Sequence, residues 1–329
     1  MSRSHRYTRS SITRTGLSNT VCTPDGRDFT VSTPIFDNFE LVKKGRATPL
    51  VLIGGFGEQN FGIRNSLVRL AQMGIPAVSP VVQFCQMPRS IERNSNEMFD
   101  AALAIGSQVP ITVINHVAEL SETEAPIKAI AASSGGGLLG LALQYAEEVG
   151  SDSGLTINMP LGDTVLIAPA GLSALHGSVE ETGIGLLGRF LSCTAGTYPP
   201  RIRGSVPTTI DITSGVFAER RTFTTGLNLA NTADNSSAVV AHANKSAVSI
   251  ISGADDRLFP LADMREMLLR RGGRLAVHDI PKGMLNMPHG IVPTDPGITL
   301  YQIEGMRHEN LSYPIGQKAL RLAAQLLHR

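Results

Sequence analysis

The sequence predicts an α/β protein, with a mostly parallel sheet, helices on both of its faces and one long insertion. Three observations carry that expectation. Short, continuously apolar runs recur along the chain, among them "TPLVLI", "IKAIAA", "DTVLIA" and "AVSIIS". Such runs suit strands buried on both faces, and segments with helical spacing stand between them. Residues 170–246 alone break the alternation, and a connection that long is rarely structureless.

The 329 residues suffice for one large domain with a sizeable core. The composition is 42% hydrophobic and 17% charged with a formal net charge of +1, so no global field points to nucleic acid. Aromatics make up 5% and Trp is absent, which disfavours a base-stacking platform. Cys22, Cys85 and Cys193 lie far apart, lack metal-site spacing and cannot all pair; a reducing, cytoplasmic setting is expected. No apolar run is read as approaching the roughly 20 residues that span a bilayer. Residues 1–20 carry four Arg and no acid and read as a disordered basic tail, with an organelle-targeting segment as the alternative. The expected partner is a small molecule. The oligomeric state is not legible.

In chain order, "VCTPDGRDFTVSTPIF" reads as two strands around an Asp25-Gly26 turn, a hairpin edge. "TPLVLIGGFG" is a buried strand running into a glycine-rich loop. "IRNSLVRLAQMG" is a helix stopped by Gly74, and "IPAVSPVV" a strand. "NEMFDAALAIGSQVPITVINHVAEL" is helical, kinked or split at Pro110. A strand from Ile127 to Ala131, a loop and a helix to about Val149 follow, then the strand "DTVLIAPA". Residues 170–246 read as a cap or lid between core segments 21–169 and 247–329. The core resumes with "AVSIISGADD", the helix "LADMREMLLRRGG", the strand-like "RLAVHDIP" and "ITLYQIEG", and the closing helix "IGQKALRLAAQLLH".

The informative stretch is "IKAIAASSGGGLLGLALQYA". Gly135, Gly137 and Gly140 satisfy the glycine fingerprint of a phosphate-binding turn. That fingerprint also needs an acidic strand end about 20 residues on, where this chain has the polar "EEVGSDSGLTINMP". The other reading is a nucleophile elbow, a sharp strand-to-helix turn with small residues two before and two after the nucleophile. Ser133, between Ala131 and Gly135, and Ser134, between Ala132 and Gly136, both meet that rule. The strand register favours Ser133, leaving the Ser134 amide to open the helix and face the site.

An elbow serine needs a base, and the base an orienting acid, in the chain order Ser, Asp or Glu, His. Asp256 in "SGADDRLFP" follows a strand, with Asp255 as its rival. His308 in "IEGMRHENLSYP" follows another, with His289 as the alternative. Developing negative charge on the substrate needs amide donors. Phe56 in "LIGGFG" and Ser134 are the candidates.

These motifs together resemble the α/β-hydrolase fold enzymes, over roughly Val21 to the C-terminus. The acid and histidine motifs, "ISGADDRLFP" and "IEGMRHENL", look most like the monoacylglycerol lipase and lysophospholipase branch of serine hydrolases. The resemblance implies Ser133 as nucleophile, His308 as general base, Asp256 as its orienter, and Phe56 and Ser134 as oxyanion donors. It implies no cofactor and no metal. The chain departs from the family pattern in opening its oxyanion loop with Gly54-Gly55, in having an alanine two before the serine (Ala131, or Ala132 for Ser134), and in the long span from Asp256 to His308. The implied activity is hydrolysis of carboxylic esters. Gly55, Leu187 and Phe190 are candidate substrate-binding residues, the last two in an apolar run that could line an acyl pocket. The alternatives are an acyltransferase, thioesterase or amidase on the same triad, a non-catalytic binding protein of this fold, and a dinucleotide-dependent oxidoreductase.

Overall fold

The computed structural model describes residues 9–42, 48–55, 61–82, 96–121, 124–152, 159–172, 234–281, 296–308, 311 and 314–328. Nine strands form one sheet: β1 (Thr13–Cys22), β2 (Asp28–Asp37), β3 (Leu50–Ile53), β4 (Ala77–Pro80), β5 (Ile127–Ala132), β6 (Leu161–Ile167), β7 (Ala247–Gly253), β8 (Leu275–Ile280) and β9 (Gly297–Ile303). Their spatial order is β1-β2-β4-β3-β5-β6-β7-β9-β8. β1 and β2 pair antiparallel, as do β2 and β4, and every other neighbouring pair is parallel.

The helices are α1 (Phe61–Gln72), α2 (Asn96–Ser121), α3 (Ser134–Asp152), α4 (Ser236–Ala243), α5 (Leu261–Arg270) and α6 (Pro314–Leu327). They cover both faces, because side chains alternate across each strand. In β5, Ile127, Ala129 and Ala131 join the core under α2, α3, α4 and α5, whereas Ile130 and Ala132 join the core under α1 and α6. The polar Lys128 in that strand sends its Nζ to the Leu327 carbonyl at the end of α6. A cation there also suits the negative end of the helix dipole.

The structure corrects four expectations. Residues 13–20 are not a disordered tail. They form most of β1, paired in register with β2 from Thr13 opposite Asp37 to Cys22 opposite Asp28. Backbone pairing rather than apolar content holds this strand, whose first residues are mostly exposed and so lack an alternation signal. Residues 236–243, expected in the insertion, form α4, which packs on α3, α5, β7 and β9. Its sequence "SSAVVAHA" is buried almost all round, which erases helical periodicity. The expected cap at 173–233 lies outside the described residues.

α2 runs unbroken through Pro110. Burial of Val109, Ile111, Val113, Ile114 and Val117 offsets the ~3 kcal/mol cost of the proline. The same helix is, from Asp100 to Ser121, long and apolar enough to cross a membrane by length and composition. Its most apolar 18-residue window is 67% buried inside the protein, which gives its apolar residues a role in the core.

β8 accounts for the long span between Asp256 and His308. β7 and β9 are neighbours, and β8 is an extra parallel strand outside β9. Ile280 ends β8 beside Ile303, while Gly297 starts β9 at the opposite end of the sheet. A parallel pair needs a connection of a dozen or more residues to return along the sheet.

Candidate active site

The carboxyl ends of β5, β7 and β9 gather the site. β5 ends at Ala132 and α3 begins at Ser134, so one residue makes the whole turn. That residue is Ser133, with φ of 49°. A non-glycine residue in left-handed backbone costs about 1–2 kcal/mol and persists only where its surroundings over-determine it. Here they do. The Ser133 N–H donates to Ile167 at 2.8 Å, and its carbonyl accepts from Gly136 and Ala170, each at 2.9 Å.

The flanking residues explain the glycines. A Cβ on Gly135 would stand 2.3 Å from the Ile53 carbonyl oxygen and 2.7 Å from that of Gly54. The end of β3 therefore passes directly over the first turn of α3. Gly137 differs, since a Cβ there would meet nothing closer than Ala170 at 3.6 Å.

Ser133 Oγ lies 2.8 Å from His308 Nε2. On the far side of the ring, His308 Nδ1 lies 3.0 Å from Asp256 Oδ2. The other oxygen, Asp256 Oδ1, accepts the backbone N–H groups of Leu258 at 2.9 Å and Phe259 at 3.0 Å. The Asp256 side chain is fully buried and that of His308 is 12% exposed. An ionised carboxylate in such a place needs its hydrogen bonds, and these three satisfy it. Asp255, one residue earlier, has an exposed side chain, and its backbone N–H goes to the Met306 carbonyl.

The acid and histidine loops are stapled together by backbone. Ala254 N–H donates to Ile303 and Asp255 N–H to Met306, while Glu304 N–H ties the histidine loop to Ile280 at the end of β8. A Cβ on Gly253 would overlap the Met306 carbonyl, 2.1 Å away, so the loops touch at van der Waals range. The imidazole is held on one side by Phe259, whose ring meets it edge to face with centroids 5.2 Å apart. Phe259 is a residue of the site that no sequence motif singles out. Its signal was an apolar residue between the acid and Pro260 in "DDRLFP".

Ser134 is buried and is the first residue of α3, where backbone amides have no intrahelical acceptor. Gly55 is buried just past β3. Phe56, Leu187, Phe190 and His289 lie outside the described residues. The arrangement joins a hydroxyl, an imidazole and a buried carboxylate in one hydrogen-bonded line. Such a line can move a proton off Ser133 Oγ and stabilise the imidazolium that forms.

No protein-family model matches the chain, and no curated protein matches it in sequence. Solved structures do match its shape. A bromoperoxidase from Bacillus anthracis aligns with a TM-score of 0.57 at 12% identity, covering 95% of this chain and 100% of its own. A thermophilic esterase from Thermogutta terrifontis aligns at 0.56 and 13% identity, covering 94% and 98%. A thioesterase domain from the curacin biosynthetic pathway aligns at 0.51 and 14%, covering 95% and 99%. At these identities the likeness is one of fold.

Proposed function

We propose that this chain, which has the α/β-hydrolase fold, is a cofactor-independent serine hydrolase that cleaves carboxylic esters. The observation that carries the reading is the line from Ser133 Oγ through His308 to Asp256, with Ser133 alone in the strained turn. His308 Nε2 takes the proton as Ser133 Oγ attacks the ester carbonyl. Asp256 stays ionised and holds His308 in the tautomer that carries its proton on Nδ1. The backbone N–H groups of Ser134 and Phe56 receive the negative charge that develops on the carbonyl oxygen. The tetrahedral intermediate collapses as His308 protonates the leaving alcohol. Water, deprotonated by the same imidazole, then releases the acid from the acyl-enzyme.

The fold supports hydrolysis without selecting the bond, since the same scaffold serves a bromoperoxidase, an esterase and a thioesterase domain. The motifs "ISGADDRLFP" and "IEGMRHENL" are what support the lipase and lysophospholipase branch. Thioester cleavage on the same triad is the second reading, favoured by the thioesterase likeness.

The test is hydrolysis of p-nitrophenyl esters and matched thioesters of graded acyl length by wild type, Ser133→Ala and Ser134→Ala. Ser133→Ala should lose roughly 10³-fold or more, and Ser134→Ala should keep most of its activity. Undiminished turnover in Ser133→Ala overturns the assignment.

A further inference from the structure

Phe259 touches both partners of the catalytic serine. Its backbone N–H donates to Asp256 Oδ1, and its ring stands edge to face on the His308 imidazole, 70° between planes. The ring is itself immobile. It is 3% exposed and belongs to the main core, and Pro260 directly follows it to open α5. The imidazole's own hydrogen bonds, from Nδ1 to Asp256 and between Nε2 and Ser133, fix two ring atoms but leave the ring plane to turn about the line that joins them, and a histidine χ2 is broad.

We infer that Phe259 is a positioning residue for His308: its ring sets the imidazole plane so that Nδ1 faces Asp256 while Nε2 faces Ser133. The inference rests on the triad reading above. Two consequences follow from the geometry. The ring adds apolar surface beside an imidazole whose Asp256 partner is fully buried, and a charge-assisted bond is stronger in such surroundings. It also limits the arc of Nε2, and a displacement of about 1 Å at a reacting atom costs roughly 10²-fold in rate.

Side-chain replacement isolates the ring, because Leu and Tyr keep the backbone N–H that serves Asp256. Phe259→Leu retains apolar volume and loses the ring, while Phe259→Tyr retains it. With the full-length protein and p-nitrophenyl esters, Phe259→Leu should lower kcat per folded molecule roughly tenfold, with KM within about twofold. Phe259→Tyr should restore kcat to near wild type. The downfield proton resonance of His308 Nδ1–H should be sharp in wild type and Phe259→Tyr, and broadened by exchange in Phe259→Leu. Wild-type kcat and a sharp resonance in Phe259→Leu, whatever its melting temperature, would overturn the inference. A wild type without turnover whose resonance still broadens in Phe259→Leu would remove the hydrolase reading and leave the positioning role standing.

Discussion

Ser133 Oγ and His308 Nε2 lie 2.8 Å apart, although 175 residues separate them in the chain. The contact exists because β5 and β9 end at the same edge of the sheet and because Ser133 turns the chain in one residue at φ of 49°. That backbone is strained for any residue with a Cβ. Ser133→Gly should therefore be about 1 kcal/mol more stable than Ser133→Ala, and equally inactive. Denaturant unfolding of the two variants measures the difference.

Asp256 and Asp255 are adjacent in sequence and opposite in role. Only Asp256 is buried and reaches His308. Asp256→Asn should lower kcat roughly 10⁴-fold by favouring the wrong imidazole tautomer. Asp255→Asn should stay within about twofold of wild type. Steady-state kinetics on one ester substrate checks both.

The three consecutive glycines are not equivalent. Gly135→Ala drives a methyl into the backbone at the end of β3 and should cost about 3 kcal/mol or more, with loss of activity. Gly137→Ala meets only ordinary contact inside a helix and should gain up to about 1 kcal/mol. Thermal and urea unfolding separate the two outcomes.

Stability should fall on mild acidification. His242 on α4 is buried, and that burial holds its pKa below the usual histidine value; Lys245 lowers it further, against the opposing Gly162 carbonyl and Asp163. His328, half-buried near Lys128, is lowered as well, by its partial burial and then by that cation. A histidine whose folded pKa lies below its unfolded value contributes stability that is fully present above about pH 6.5 and is lost progressively as the pH falls from there through the lowered folded pKa. Urea unfolding from pH 7.5 to 5 should show the wild type losing stability more steeply than His242→Gln. Parallel slopes would contradict this.

The sequence disclosed most where burial is one-sided in meaning. β3, β5, β6 and β7 are short apolar runs because helices cover both of their faces, and that pattern survives in one dimension. The candidate triad was readable for a related reason. Ser133, Asp256 and His308 each follow a strand closely, so strand ends mark where they fall. What stayed hidden depends on partners distant in sequence. β1 is polar and exists through its ladder to β2. α4 hides its helical period because nearly every face is packed. Glycine counting could not rank Ser133 over Ser134, since a Cβ would clash at both Gly135 and Gly136; the deciding facts are the positive φ of Ser133 and its contact with His308, 175 residues away. The edge contact of Phe259 on His308 joins two loops that no local pattern connects.

The central claim is that Ser133 is a nucleophile activated by His308. Covalent labelling by a fluorophosphonate probe, with the modified residue mapped by peptide mass spectrometry, tests it most directly. One adduct is expected, on Ser133, abolished in Ser133→Ala and strongly slowed in His308→Ala. An adduct on Ser134, or a folded wild-type protein that resists the probe, would contradict it.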